Sequence, residues 1–557
     1  MKKSRIKALL TVGMIYFIGQ NAALAEEAKN PFFFDVPDME EVAEAAGIDH
    51  QYTGPWEYFV GGGVASFDCN QDRMPDVFLA GGKGPAQLFV NRSKAGGKLK
   101  FEASKLGLPE RDMSRVLGAY PINLDNDAFT DLVVLRLSEN ILLKGLGDCK
   151  FEKTNRAFSF EGGREWTTGF SAVFERGSDF PTLAFGNYVD RTAPGSPWGT
   201  CHKNQLIRPA DTAKNVPDYS NSIALEPGYC SLSILFTDWN GSGEPALRIT
   251  NDRQYYRGGE EQLWQINAGM LPKLYTQRQG WKKLTIWGMG ISETDLDKDG
   301  RPDYALSSMG DTMLQTLNKE ADEEQPDYRD IAFERAMTAH RPYTGDDTRP
   351  STGWHTQFAD FNNDARTDLF IAKGNVESMP DFASFDPDNM LLGGHGGTFH
   401  EMGEKAGIAL NRRGRGAVVE DFNADGMLDL LVVNRSENVS LFQNKGLKTD
   451  WGHAPMGNWL SIELLNGKIN PAAIGAKITV KTGNLSQSKT IQIGGGHASG
   501  QIGFSHFGLG VAERATVRIQ WPDGDWSPEY RLHANNFVQL RRDNPEPLYW
   551  YPRKAAQ

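Results

Sequence analysis

The stretch Glu293-Thr-Asp-Leu-Asp-Lys-Asp-Gly-Arg-Pro-Asp-Tyr-Ala-Leu306 places carboxylates at Asp295, Asp297, Asp299 and Asp303. Acids this close repel one another in a compact loop, so a positive charge or open solvent must screen them. A hard divalent cation is the natural partner. Side chains at positions 1, 3 and 5 converge, Gly300 permits the sharp turn, and the carbonyl of Arg301 at position 7 can join them. An EF-hand would add a bidentate Glu at position 12 and a helix on each side. Position 12 here is Leu306, inside the strand-like run Tyr304-Ala-Leu-Ser-Ser, so Asp303 at position 9 becomes the closing ligand.

The pattern recurs. Asp68, Asn70, Asp72 and Asp76 hold positions 1, 3, 5 and 9 of one copy, and Asn123, Asp125, Asp127 and Asp131 those of a second. Asp360, Asn362, Asp364 and Asp368, then Asp421, Asn423, Asp425 and Asp429, complete the set. Each copy has an apolar residue at position 12. Carboxylate catalysis needs one acid of raised pKa and one ionised partner facing a cleft, so repeated identical clusters argue for structural metal sites instead. Calcium is expected at about five sites. Two degenerate copies, Phe174-Glu-Arg-Gly-Ser-Asp179 and Asp238-Trp-Asn240-Gly-Ser242, are expected to keep the turn and to bind metal poorly.

Copies begin near residues 68, 123, 175, 238, 295, 360 and 421, a period of roughly 60 residues. Each unit must supply strands around its loop. One strand enters the acidic turn and one leaves it. A hairpin follows, as in Gln87-Leu-Phe-Val-Asn91 leading to Phe101, Asn140-Ile-Leu-Leu leading to Phe151, and Asn389-Met-Leu-Leu leading to Phe399. Four strands per unit and seven units predict an all-β, seven-bladed β-propeller, whose ring protects most sheet edges. The chain's 60 glycines and 28 prolines, which punctuate short apolar runs, agree with that.

The loops resemble the FG-GAP or VCBS-type calcium loops of integrin-like propellers. Trp287-Gly-Met-Gly, Gly353-Trp-His-Thr-Gln-Phe-Ala-Asp and Phe236-Thr-Asp-Trp-Asn resemble bacterial relatives of cartilage acidic protein. The resemblance, over residues 45 to 541, implies an extracytoplasmic calcium-binding propeller with no assigned activity. After Asn434 the acidic repeats stop. Alternating apolar residues from Asn458 onward predict a small antiparallel β-domain. Ile474-Gly-Ala-Lys-Ile-Thr-Val, Gly494-Gly-Gly-His-Ala-Ser-Gly-Gln, His506-Phe-Gly-Leu-Gly and Val517-Arg-Ile-Gln-Trp-Pro-Asp-Gly resemble the ASPIC/UnbV domain, which carries no defined chemistry. Gly494-Gly-Gly-His reads as a turn, since no helix follows to cradle a phosphate. His497 and His506 read as structural. His400-Glu-Met-Gly-Glu404 lacks the second histidine of a zincin helix.

Met1 to Ala25 has a cationic start, an apolar run and Ala23-Leu-Ala25, which predicts a cleaved signal peptide and a periplasmic or secreted protein. The apolar run is too short to span a bilayer. Net charge is -12, and more negative without the four cationic leader residues, which argues against nucleic acid as a partner. Four cysteines allow three pairings. Cys201 and Cys230 bracket one loop-rich insertion, which favours joining them and leaves Cys69 with Cys149. The expected organisation is a leader at 1–25, a propeller at 26–445, the C-terminal module at 446–541 and a tail at 542–557. Charged residues 316–350, with a helix over Asp330–Met337, are expected as an insertion within the fifth unit, read either as a solvated decoration or, like the stretch from Pro194 to Tyr229, as a lid or docking loop for a protein or glycan ligand on the propeller face. The expected function is a binding or assembly module with structural calcium. The rival is a carbohydrate-active hydrolase or lyase, with its acid and base in the central funnel or under the insertions.

Overall fold

Short apolar runs such as Leu132-Val-Val-Leu and Leu430-Leu-Val-Val, closed by Asx and glycine turns, form strands buried on both faces. The computed structural model describes residues 35–210, 216–322, 324–337, 351–376 and 386–552. The leader at 1–25 lies outside them. Among the described residues the strands form nine sheets, all but two built around one acidic loop or its degenerate copy. The first strands of these seven sheets are Val64–Phe67, Ser114–Ile122, Thr167–Val173, Ser231–Thr237, Gly288–Thr294, Gly353–Ala359 and Gly414–Glu420. They adjoin in that order, and the last returns to the first, so the sheets close a ring. Strand Pro37–Glu41 completes the closure. It pairs with Ser440–Thr449 inside the seventh sheet, so that the sheet is built from both ends of the ring.

The hairpins expected after the acidic loops are present as Gln87–Asn91 with Phe101–Ser104, Ile141–Gly145 with Phe151–Lys153, and Asn389–Gly393 with Phe399–Glu401. Several expectations change. The stretch from Pro194 to Tyr229 is no mere insertion: Asn204–Arg208 and Asn221–Leu225 are the outer strands of the third sheet. Thr316, Leu317 and Tyr328–Asp330 likewise belong to the fifth sheet, which reduces that insertion. The helix expected over Asp330–Met337 is absent. Asp330 ends a strand and residues 332–336 form a tight turn, because the bonds from Arg335 N to Ile331 O and from Met337 N to Ala332 O bury Ile331, Ala332 and Met337. Residues 338–350 lie outside the described part.

The C-terminal module is two four-stranded sheets over a core that includes Leu460, Ile462, Ile478, Val480, Val517 and Trp521. It is not purely antiparallel, since Asn458–Leu465 runs parallel to Asn536–Arg541. Part of the tail expected at 542–557 is instead a strand. Asn544–Trp550 is the edge strand beside Asn536–Arg541. Ring and module together form one compact unit, Val36–Gln557. The disulfides are Cys69–Cys149 and Cys201–Cys230, as the sequence suggested. Among the described residues no helix is long and apolar enough to cross a membrane.

Candidate metal-binding loops and the surface they build

Each acidic loop joins the first strand of a sheet to the second. Its shape follows from side chain to backbone bonds inside nine residues. The carboxylate at position 1 accepts the amides of positions 5 and 6: Asp68 those of Asp72 and Arg73 at 3.2 and 2.7 Å, Asp360 those of Asp364 and Ala365 at 3.1 and 2.9 Å, and Asp421 those of Asp425 and Gly426 at 3.0 and 2.7 Å. Asp295 accepts Gly300 N at 3.1 Å. Position 4 is left-handed in all five loops although none is glycine there: Gln71, Asn126, Lys298, Asn363 and Ala424. Such backbone costs of order 1 kcal/mol and persists only where its surroundings hold it.

Position 9 does a second job that the spacing alone did not reveal. Asp76, Asp131, Asp303, Asp368 and Asp429 are all buried. One oxygen of each accepts the amide of position 2, at 2.7–3.0 Å: Cys69, Leu124, Leu296, Phe361 and Phe422. In four of them the other oxygen accepts an amide of the third strand, from Asn91, Gly145, Gly393 or Asn444 at 2.7–2.8 Å. The residue therefore buckles loop to sheet. Asp131→Ala strands two buried amides, and at about 1–3 kcal/mol each should destabilise the protein by about 2–6 kcal/mol, read as a lower denaturation midpoint. Burial pushes these carboxyls up, Asp303 to about 6, Asp76 to about 7 and Asp131 to about 8, with Asp368 and Asp429 well above the usual range.

The loops differ in how well they suit a cation. Asp295, Asp297 and Asp303 each offer an oxygen within 4.8 Å of the others, and Asp295 Oδ1 is buried without a partner. In the seventh sheet Asn423 Oδ1 is likewise buried and unpartnered between Asp421 and Asp425. These two loops fit a hard cation best. The loops from Asp68 and Asp360 repeat the same turn. The loop from Asn123 does not fit. Lys144 Nζ contacts Asp125 and lies 2.8 Å from Asp127, while the Asn123 amide donates to the carbonyls of Asp127 and Phe129. The degenerate copies keep their turns, with Asp238 accepting Ser242 N and Gly243 N and with Glu175 paired to Arg208 at 2.7 Å. Cys69 and Cys149, which lie beside Asp76, are joined to each other and offer no thiolate.

Together the loops build a platform. Arg73 pairs with Glu463 at 3.9 Å, Asn126 Oδ1 accepts Asn470 N, Gly300 O accepts Lys477 Nζ at 2.6 Å, and Asn363 Oδ1 meets His506 Nε2 at 2.7 Å. Met74 and Ala424 pack with Trp459 and Phe537. The C-terminal module thus sits on the acidic loops, and His506, also bonded to Ser461, is a docking residue. A cavity of about 280 Å³ remains between them, lined among others by Glu293, Glu420, Glu463 and Lys489.

From that module, residues 492–502 enter the ring and touch the first strand of every sheet. Ala65 pairs with Gly500, Ala119 with Ser499, Ala172 with Ile493 and Ile291 with Gly496. Gly495 N donates to Ile234 O, His497 N to His355, and Val419 N to Gln501. A stretch reaching all seven strands lies on the axis. The amides of Gly495 and Gly496 are spent on Ile234 and Ile291, not on an anion, and the segment borders the cavity that holds Glu293, Glu420 and Lys489. Sequence reasoning saw this run only as a turn. The overlooked signal is the glycine five residues before loop position 1, at Gly63, Gly118, Gly290 and Gly416, on the strands the run approaches.

Two family models match the chain, FG-GAP-like repeat over residues 360–432 and ASPIC and UnbV over residues 466–547. Curated relatives are cartilage acidic protein 1 of Mus musculus, 27% identical over 243 residues, and of Homo sapiens, 26% identical over 243 residues. The matches cover 42% of this chain, and 34% and 33% of those proteins, so the chain aligns with about a third of their length. Among solved structures, BBS1N in complex with ARL6DN covers 74% of this chain and 98% of its own at 10% identity, with a TM-score of 0.41. Trypanosoma rangeli sialidase covers 69% of this chain and 59% of its own at 9% identity, with a TM-score of 0.35.

Proposed function

Because the chain carries an FG-GAP-like repeat and an ASPIC and UnbV domain, we propose that it is an exported, calcium-organised seven-bladed propeller acting as a binding or assembly module. The observation that carries the reading is the convergence of Asp295, Asp297 and Asp303 beside the unpartnered Asp295 Oδ1, with Asn423 Oδ1 similarly unpartnered in the seventh sheet. Oxygen-only donor sets of this kind suit calcium, which accepts six to eight such ligands. Asp295, Asp297, Asp299 and Asp303 would hold one ion, and the corresponding residues of the Asp68, Asp360 and Asp421 loops the others. Bound calcium supplies positive charge to clustered carboxylates. Its role is structural, because the same loops support the C-terminal module. Two disulfides support a destination outside the reducing cytoplasm, periplasmic or secreted. The partner is a protein or glycan met by the outer surfaces. Elemental analysis of the protein dialysed against calcium and then desalted is expected to find several calcium ions per chain. A metal-free protein of unchanged fold would overturn the calcium reading.

A further inference from the structure

Strand register reveals which loops take a metal. In each sheet one residue of the third strand stands opposite loop position 9, by direct pairing or by continuing the observed register one step. These residues are Val90, Lys144, Arg208, Gln265, Thr316, Leu392 and Gln443 in ring order. Only the second and third sheets put a cation there, and in both the cation lies on the loop acids. Lys144, with its side chain 25% exposed, bridges Asp125 and Asp127, and Arg208 binds Glu175. Other cations near the loops act differently. Arg301 and Arg366 belong to their own loops and pair there with Asp299 and Asp364, while Lys319 touches Asp297 with its side chain 63% exposed.

The second loop is further committed. Asn123 turns its amide nitrogen inward, and the carbonyl it engages at Phe129 is the position 7 group that a calcium loop needs. Positions 1, 3, 5 and 7 are all taken by the chain's own groups. We infer that Lys144 replaces the metal in the Asn123–Asp131 loop, so that the ring binds four calcium ions where the repeat suggests five. The inference rests on the calcium reading of the other loops. It makes the second and third sheets an arc whose loops stay closed when calcium is withdrawn, while the metal-dependent loops are those of the first, fifth, sixth and seventh sheets.

The test is calcium stoichiometry of the full chain after equilibrium dialysis at saturating calcium, for the wild type, Lys144→Met and Lys144→Arg. Four ions are expected in the wild type and in Lys144→Arg, and five in Lys144→Met, whose emptied loop frees Asp125, Asp127 and the Asn123 amide. Thermal unfolding in calcium reports whether each variant is folded. Should Lys144→Met fold only weakly, its midpoint must rise with calcium more steeply than that of Lys144→Arg. Five ions in the wild type, or four in Lys144→Met without that steeper response, would overturn the inference and leave the calcium loops standing. No calcium in any of the three proteins would overturn the calcium reading and the inference with it.

Discussion

Chelation of calcium is expected to lower the unfolding midpoint of the protein by roughly 10–20 °C. At free calcium about 100 times the dissociation constant, each independent site contributes ~2.7 kcal/mol, and four sites about 11 kcal/mol. That is comparable to the whole stability of an ordinary domain, about 5–15 kcal/mol. A chain of this size moves about 1–2 °C per kcal/mol, the larger unfolding entropy of a long chain diluting each contribution. The loss should also be directional. The loops from Asp68, Asp295, Asp360 and Asp421 face the C-terminal module, through Arg73 with Glu463, Ser488 with Asp295, Asn363 with His506 and Ala424 with Trp459. Their loosening should expose that module to protease before the ring opens. Calorimetry and limited proteolysis, in calcium and after chelation, read both effects. A midpoint that moves by less than about 2 °C would leave the acidic loops as solvated turns with no structural ion.

The second large effect concerns the axis. A Cβ at Gly63 would stand 1.8 Å from Ala498 O and one at Gly118 would stand 2.1 Å from it. Neither glycine has a left-handed backbone, so replacing both with valine tests the contact and not the turn. With both glycines replaced the Ala498 carbonyl meets a side chain from two neighbouring strands, and the axial segment must leave. It would take with it hydrogen bonds such as Gly61 N to His497, Val64 N to Ser499 and Gly496 N to Ile291, each about 1 kcal/mol. It would also take the seat of His497 against Trp354, where the ring centroids are 4.9 Å apart. The expected cost is of order 5–10 kcal/mol for the double variant, with new protease cleavage within residues 491–502. Gly84→Ala, where the nearest atom is 3.4 Å away, serves as the control. Unchanged midpoint and unchanged cleavage in the double variant would mean that the segment does not hold the ring.

Much of this was legible along the chain because its causes are short-range. The acidic turns are held by bonds spanning two to seven residues, as from Asp68 to Asp72 or Asp76 to Cys69, so nine residues carry the whole instruction and their recurrence yields the ring. The bracketing of Cys201 and Cys230 was similarly local. The helix over Asp330–Met337 was a misreading of the same kind of local signal. Its spacing is helical, yet Tyr328–Asp330 is claimed by strand pairing with Met313–Leu317, and a single turn suffices to bury the apolar residues.

What the sequence by itself determined is the inventory of repeated turns, the strands on either side of them and the type of ligand such turns suit, since these depend on neighbours within one hairpin. Tertiary structure alone decided the rest. Lys144 reaches Asp125 because of register across a second hairpin, a distance of 19 residues that no motif encodes. Ser499 meets Val64 across 435 residues, and His506 meets Asn363 across 143. Contacts of that range form only when ring closure brings seven strands around one axis, because each buries its polar groups against a partner that the local chain does not contain.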